Sequence, residues 1–425
     1  REQYINATIY NKKNNKQQMA KKETAKPNKM FSFRDIVGLT DGIIKKSAIL
    51  KADPNAEVQR NNIGTGIYVL NAAFSGDIYG GIANNRISVL AGESGVGKSF
   101  LCYNICRVAQ AQGYSVIYID TEFSIEVDQL PGYGIDIDED KFMLLRNNIV
   151  EDLKIYITQL LDGLKKEKFA GKDIGKFMIV LDSVGQLASR KEVDDAGAGK
   201  EKADFTKAKA LASFFRIINS DLGLLEIPFL CTNHTYDPME MYAQPEMKGG
   251  KGLKYSASSI AFLSKAKLRD EDQMDDLDTN QSGIIVTAKF IKNRLAKPKK
   301  VKFEISFVSG CNPYKGLDFW LTEDTFDTVG VAKGKMEGDV FKPGGNRWYV
   351  RHLGKHIPGA QLFTDKVFTK EVLDALRPII KDYFRYKSIT EIEEVNAALE
   401  DAKGMMEDDD RENYTEDLDA ENLFK

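Results

Sequence analysis

Short apolar runs alternate with amphipathic stretches through the middle of the chain, and the alternation reads as strands and helices in turn. Arg86-Ile-Ser-Val-Leu-Ala91 predicts a buried strand, followed by a loop and a helix to about Gln112. Tyr114-Ser-Val-Ile-Tyr-Ile-Asp120 predicts a second strand. Between Glu151 and Lys166, Leu153, Ile157, Leu160, Leu161 and Leu164 recur on one side of a helix. A third strand is expected over Phe177-Met-Ile-Val-Leu-Asp182, a long helix over Phe205 to Ile218 and a fourth strand over Ile227 to Asn233. Strands alternating with helices specify an α/β fold with a mostly parallel twisted sheet flanked by helices.

After Gly283 the pattern changes. Ile284-Ile-Val-Thr-Ala-Lys-Phe290 and Val301-Lys-Phe-Glu-Ile-Ser-Phe307 read as adjacent, half-exposed strands that extend the sheet at one side. From about Cys311, short helices and turns are expected, with Asn312-Pro-Tyr314 and Pro343-Gly-Gly345 as breaks. The expected organisation is a basic, partly disordered arm over 1–58, an α/β core over 59–310, a small α+β domain over 311–403 and an acidic, disordered tail over 404–425. A short helix is expected within the arm, from Phe31 to Lys46. Met19 opens Met-Ala-Lys-Lys-Glu, so residues 1–18 read as an upstream extension.

Composition narrows the class. A chain of 425 residues with 42% hydrophobic and 29% charged positions has room for two or three domains with a sizeable core. No run approaches the roughly 18 apolar residues of a membrane span, and no signal peptide is visible. Cys102, Cys106, Cys231 and Cys311 are scattered and read as thiols in a reducing cytoplasm. The net charge of -3 hides a basic head, with lysines at 12, 13, 16, 21, 22, 26 and 29, and a tail holding Asp408, Asp409 and Asp410 among many acids. Such a tail is a solvated end, a docking site for basic partners, or an internal competitor with a polyanion for a basic surface.

The sharpest signal is Gly92-Glu93-Ser94-Gly95-Val96-Gly97-Lys98-Ser99, lying between the first strand and Phe100-Leu-Cys-Tyr. This is G-x-x-x-x-G-K-S in its strand–loop–helix setting, a P-loop for a nucleoside triphosphate. Glycines let successive N–H groups turn toward phosphate oxygens, and the helix N-terminus adds partial positive charge. Lys98 then reaches the β- and γ-phosphates and the Ser99 hydroxyl ligates Mg²⁺. Asp182 closes an apolar strand, where a carboxylate holds Mg²⁺, usually through water. Glu122, just past the second strand, is placed to activate the attacking water, with Asp120 an alternative for that role.

These spacings resemble the RecA family of recombinases, and within it the UvsX-type members of tailed phages. The resemblance runs from about Ile63 to Tyr349. It rests on the P-loop, Tyr118-Ile-Asp-Thr-Glu-Phe123, Val180-Leu-Asp-Ser-Val-Gly-Gln-Leu-Ala-Ser-Arg-Lys-Glu192, Thr232-Asn-His-Thr-Tyr236, Gly249-Gly-Lys-Gly-Leu-Lys-Tyr-Ser-Ala257 and Lys292-Asn-Arg294. It implies a RecA-type ATPase core, with the N-terminal segment as polymerisation arm. It also implies Glu122 as the catalytic carboxylate and His234 as the sensor of the γ-phosphate.

Two loops would then hold single-stranded DNA. The first carries Arg190, Lys191, Lys200 and Lys202; the second carries Tyr236, Met241, Tyr242, Lys248, Gly249, Gly250, Lys251 and Lys254. Lysines and glycine N–H groups suit phosphates, and apolar or aromatic tips stack on bases without reading sequence. Lys292 and Arg294 match basic residues that the family inserts into the neighbouring subunit's nucleotide site. The family's adenine-stacking tyrosine is absent, since Gln129 fills its slot, and Tyr133 is an alternative platform.

The function implied is an ATP- and Mg²⁺-dependent recombinase that forms filaments on single-stranded DNA, pairs it with homologous duplex and acts in the cytoplasm or nucleoid of a bacterial host. Mediator and single-strand-binding proteins are the expected partners of the acidic tail. A hexameric helicase with the same core, or an accessory paralogue without efficient hydrolysis, are the competing readings.

Overall fold

A computed structural model describes residues 62–199, 206–236, 245–269, 281–394 and 396. The arm, with its expected helix at Phe31–Lys46, and the acidic tail lie outside the described residues, as do Lys200, Lys202, Met241 and Tyr242. Helix α1 (Tyr68–Ser75) precedes β1 (Ile87–Gly92), α2 (Lys98–Ala111), β2 (Tyr114–Asp120), β3 (Phe142–Arg146), α3 (Val150–Phe169) and β4 (Lys176–Asp182). Then come α4 (Arg190–Gly197), α5 (Thr206–Leu225), β5 (Phe229–Tyr236), the short β6 (Glu246–Met247), α6 (Lys251–Ser256), β7 (Ser259–Arg269), β8 (Gln281–Asn293), β9 (Lys300–Ser306) and β10 (Gly310–Cys311).

One sheet carries these strands in the order β10-β9-β8-β7-β1-β5-β4-β2-β3, with β6 paired to β5. From β7 across to β3 the pairing is parallel; β8, β9 and β10 add antiparallel strands on the other side of β7. The mostly parallel twisted sheet and the two added strands over 284–290 and 301–307 agree with the sequence reading. The apolar pattern does not predict strands β3 and β7. β3 is a short edge strand, and the second half of β7 is polar and exposed, so neither shows a continuous apolar run.

All six residues of β1 are buried, as a strand covered on both faces must be. Leu90 packs with α1, α2 and the C-terminal helix, while Ile87, Val89 and Ala91 pack with α3, α5 and α6. Helices therefore cover both faces, and the loops at the C-terminal ends of β1, β2, β4 and β5 open on one edge. Ligands bind at that edge in parallel sheets.

Beyond Cys311 the reading of short helices and turns needs correction. After α7 (Glu323–Val329), the strands β11 (Val331–Glu337), β12 (Val340–Val350) and β13 (Lys355–Ile357) form an antiparallel sheet, followed by the 15-residue α8 (Lys370–Phe384). Pro343-Gly-Gly345, expected to break the chain, lies inside β12. The register jumps there from Lys333↔Trp348 to Gly334↔Pro343, so the extra residues bulge out. Gly344 and Gly345 take positive φ, which glycine adopts at little cost. α8 buries Val372, Leu373, Leu376, Ile380 and Phe384 in the same apolar cluster as α1 and α2. Asp77, following α1, binds Arg377 of α8 through both carboxylate oxygens at 2.6–3.0 Å.

Candidate nucleotide site and its two ends

The P-loop residues Glu93, Ser94 and Gly95 form an exposed tip, whereas Val96 and Lys98 are buried and Gly97, Ser99 and Phe100 are half-buried. Gly95 and Gly97 have φ of 71° and 87°. At Gly97 this conformation starts α2 directly after the loop, leaving the first-turn N–H groups facing the site. The Lys98 ammonium folds back onto Gly92 O at 2.9 Å and Glu93 O at 2.7 Å. Burial pushes it below its ordinary range, opposed by the nearby Asp182 and Glu122 carboxylates. A buried cation resting on backbone carbonyls is well placed for a phosphate to claim.

Across the sheet, Asp182 ends β4 opposite Asp120 of β2, and His234 of β5 lies opposite Gly92 of β1. Asp182 is 5% exposed and accepts from Tyr118 Oη at 2.8 Å and from the Thr232 hydroxyl. Two hydroxyl donors hold the carboxylate in place while leaving lone pairs free, which would suit it to hold Mg²⁺. Ser99 stands in the first turn of α2 and completes the set of residues suited to Mg²⁺.

Glu122 accepts from Ser183 Oγ at 2.7 Å and meets His234 Nε2 at 3.1 Å. Burial works to raise its pKa, but the Ser183 and His234 hydrogen bonds, with the charges of His234 and Lys98, hold it below the ordinary carboxylate range. Asp120 has different work. It is 1% exposed and accepts the N–H groups of Glu122 and Ile125, folding the turn that presents Glu122.

His234 leads into the second loop. Its carbonyl accepts from Lys248 N at 3.0 Å, and the buried Asn233 side chain donates to Lys248 O at 2.8 Å. Thr235 pairs with Met247 and Tyr236 with Glu246, so the two described ends of the second loop are antiparallel, with Tyr236 Oη donating to Glu246. Gly249 and Gly250 follow with positive φ, and Lys251 and Lys254 lie exposed on α6. In the first loop, Arg190 and Lys191 belong to α4, whose cap is a reciprocal Ser189–Glu192 pair and which buries none of its residues. Arg190 pairs with Asp152, and Lys191 with Asp195.

Lys292 and Arg294 lie at the other end of the sheet. Lys292 is opposite Ile260 of β7, which is opposite Val89 of β1, whereas the P-loop leaves from Gly92 opposite Leu263. Three residues of strand, roughly 10 Å, separate the two rows. Lys292 Nζ points away, to Lys254 O at 2.6 Å and Tyr255 O at 3.1 Å. Burial lowers its pKa, and Arg294 and Lys254 beside it add to the effect. Arg294, Arg216, Asn219, Tyr255 and Ser256 line a cavity of about 370 Å³ here.

Several residues of the site escaped the sequence reading. Tyr118 and Thr232 steady Asp182, and their signal was a polar group inside an apolar strand. Lys265 of β7 reaches the P-loop tip, 3.2 Å from Gly95 O, from a strand that went unread. Tyr133, by contrast, is expected from the sequence as an alternative platform for the nucleotide base; it stands 5.1 Å from Tyr103 and 6.0 Å edge-on to Phe100, centroid to centroid, beside the start of α2.

Residues 37–312 match the RecA N-terminal domain family. The chain is 29% identical over 314 residues to the recombination and repair protein of Enterobacteria phage T4, covering 72% of each chain. It is 25% identical over 325 residues to protein RecA of Thermus aquaticus, covering 75% of this chain and 86% of that one. A mitochondrial DNA repair protein recA homolog of Dictyostelium discoideum is 26% identical over 255 residues, or 59% of this chain and 52% of that one. With a P-loop, a strand-end carboxylate and a parallel sheet in these positions, and with the family match spanning most of its length, the chain belongs to the RecA family.

Proposed function

We propose that this protein is a recombinase whose ATP is bound and hydrolysed between adjacent subunits of a helical filament on single-stranded DNA, and which catalyses pairing and strand exchange with homologous duplex. The observation that carries this reading is the division of the site. Lys98, Glu122, Asp182 and His234 share one end of the sheet, while Lys292 and Arg294 stand with a cavity at the other, out of reach of their own P-loop. Stacking one subunit on the next brings the two ends together, a heterologous contact that propagates as a helix when its rotation does not close.

In this mechanism Lys98 leaves the Gly92 and Glu93 carbonyls for the β- and γ-phosphates. Ser99 and Asp182 would hold Mg²⁺, which would neutralise charge on the phosphates. Glu122, ionised and aimed by Ser183, takes the proton of the attacking water. Lys292 and Arg294 of the adjacent subunit stabilise the transition-state charge, a role worth about 10³–10⁵ in rate in other nucleotide hydrolases. Phe100 and Tyr133 offer the base an aromatic face in place of the missing tyrosine at Gln129.

His234 joins this chemistry to the DNA loops. It contacts the base at one edge and fixes the return of the second loop through Lys248, so loss of the γ-phosphate alters the loop that holds DNA. Arg190, Lys191, Lys200, Lys202, Lys248, Lys251 and Lys254 would take phosphates, and Tyr236, Met241 and Tyr242 would meet bases. Mediator and single-strand-binding proteins are the partners proposed for the acidic tail. Among the described residues no helix is long and apolar enough to cross a membrane, and action in the cytoplasm of a bacterial host is part of the proposal.

Electron microscopy of the protein with single-stranded DNA and a slowly hydrolysed ATP analogue tests the reading. Open helical filaments are expected. Closed hexameric rings would assign the chain to the helicases, and monomers without DNA-stimulated ATPase activity would assign it to accessory paralogues.

A further inference from the structure

Thr121 lies between the last residue of β2 and Glu122, and it is 3% exposed. Its N–H donates to Asp182 O at 2.9 Å, adding one more rung between β2 and β4. Its hydroxyl donates to Ser183 O at 2.8 Å and accepts from Ser183 N, also at 2.8 Å. One oxygen thus serves both backbone groups of the residue that follows Asp182. Ser183, itself fully buried, spends its own hydroxyl on Glu122 Oε1 at 2.7 Å. The bonds close a ring: Thr121 to Glu122 along the chain, Glu122 to Ser183 through the carboxylate, and Ser183 back to Thr121 through the hydroxyl.

We infer that Thr121 is a positioning residue that sets the spacing between the water-activating carboxylate Glu122 and the magnesium carboxylate Asp182. This rests on the proposed role of Glu122 as base. The two carboxylates arrive on different strands, and parallel pairing alone fixes neither the turn after β2 nor the direction of the Ser183 hydroxyl. A hydroxyl on Cβ at residue 121 ties both. Serine can make the same two bonds; alanine and valine can make neither. Loss of the tie frees Ser183 to rotate, and Glu122 then keeps His234 but loses the Ser183 donor that aims it. Small displacements of a positioned catalytic group cost up to about 100-fold in rate.

The test compares Thr121→Val, Thr121→Ala and Thr121→Ser with the parent as full-length chains. The readouts are thermal unfolding, affinity for a fluorescent ATP analogue with Mg²⁺, and DNA-stimulated ATP hydrolysis against pH. In Thr121→Val, or in Thr121→Ala if the valine variant does not fold, kcat should fall about tenfold or more. Nucleotide affinity should stay within about threefold, because the P-loop is untouched. The acidic limb of the kcat profile should move to higher pH as Glu122 loses the Ser183 donor. Thr121→Ser should restore both kcat and profile. The inference is overturned if folded Thr121→Ala keeps parental kcat, if kcat and affinity fall together, or if Thr121→Ser is as impaired as Thr121→Ala. Glu122→Gln in parallel separates the two ideas: normal turnover there refutes the base assignment, whereas an inactive Glu122→Gln beside a fully active Thr121→Ala refutes the role of Thr121 alone.

Discussion

His234 Nε2 stands 3.1 Å from Glu122 Oε1, and the carbonyl of the same histidine accepts from Lys248 N at 3.0 Å. One residue therefore touches the proposed hydrolytic carboxylate with its side chain and the proposed DNA loop with its backbone. His234→Ala should retain ATP binding but lose the tightening of single-stranded DNA that ATP produces, a coupling typically worth about 1–3 kcal/mol. Titration of labelled oligonucleotide with and without a slowly hydrolysed analogue measures it. Unchanged tightening in the variant would remove His234 from the pathway.

Lys98 and Glu122 should separate binding from chemistry. Lys98→Ala removes the only buried cation of the loop and should abolish both nucleotide binding and filament assembly. Glu122→Gln should bind nucleotide and DNA tightly without turnover. Equal loss of DNA binding in both variants would argue against coupling through ATP.

The acid sensitivity of Glu122 follows from its neighbours. Its carboxyl lies below the ordinary range in the folded protein, so its stabilising contribution is present above the unfolded-state pKa and fades as pH falls through the folded value. Activity should therefore persist on the acid side until Glu122 protonates. Ser183→Ala removes the donor to Glu122 and should move the acidic limb of kcat upward. A limb that stays in place would mean that the hydroxyl does not sustain the anion.

The packing of α8 gives a stability prediction. Phe384 is fully buried and its carbonyl accepts from Lys297 N at 2.7 Å. Phe384→Ala should cost about 3–5 kcal/mol, read by denaturant unfolding. Arg377→Ala, which frees the partly exposed Asp77 carboxylate, should cost about 1 kcal/mol. The reverse order would place the hold of α8 in its ion pair and not in its apolar face.

Much of the candidate site is legible along the chain because its parts lie where a strand ends. Gly92–Ser99, Glu122, Asp182 and His234 each follow an apolar run, and the ends of parallel strands share an edge. The sequence was silent on how those groups are held. Thr121, Tyr118 and Thr232 carry hydroxyls whose partners, Asp182 and Ser183, lie at the end of another strand, so no local spacing marks them. Strand β7 and the β11–β12 hairpin were missed because exposure replaces apolar residues with lysines, and a bulge hides the register. The separation of Lys292 from the P-loop came only from register, since proximity across a sheet cannot be read along the chain.

Mixing two variants probes that separation most directly. Glu122→Gln chains lack the base but keep Lys292 and Arg294; Lys292→Ala/Arg294→Ala chains lack the cations but keep the base. Each alone should hydrolyse ATP poorly on single-stranded DNA. If the site is completed by the neighbour, mixing them creates junctions with every group intact, and DNA-stimulated hydrolysis should rise well above that of either variant alone. Hydrolysis in the mixture that equals the average of the two variants would contradict a nucleotide shared between subunits.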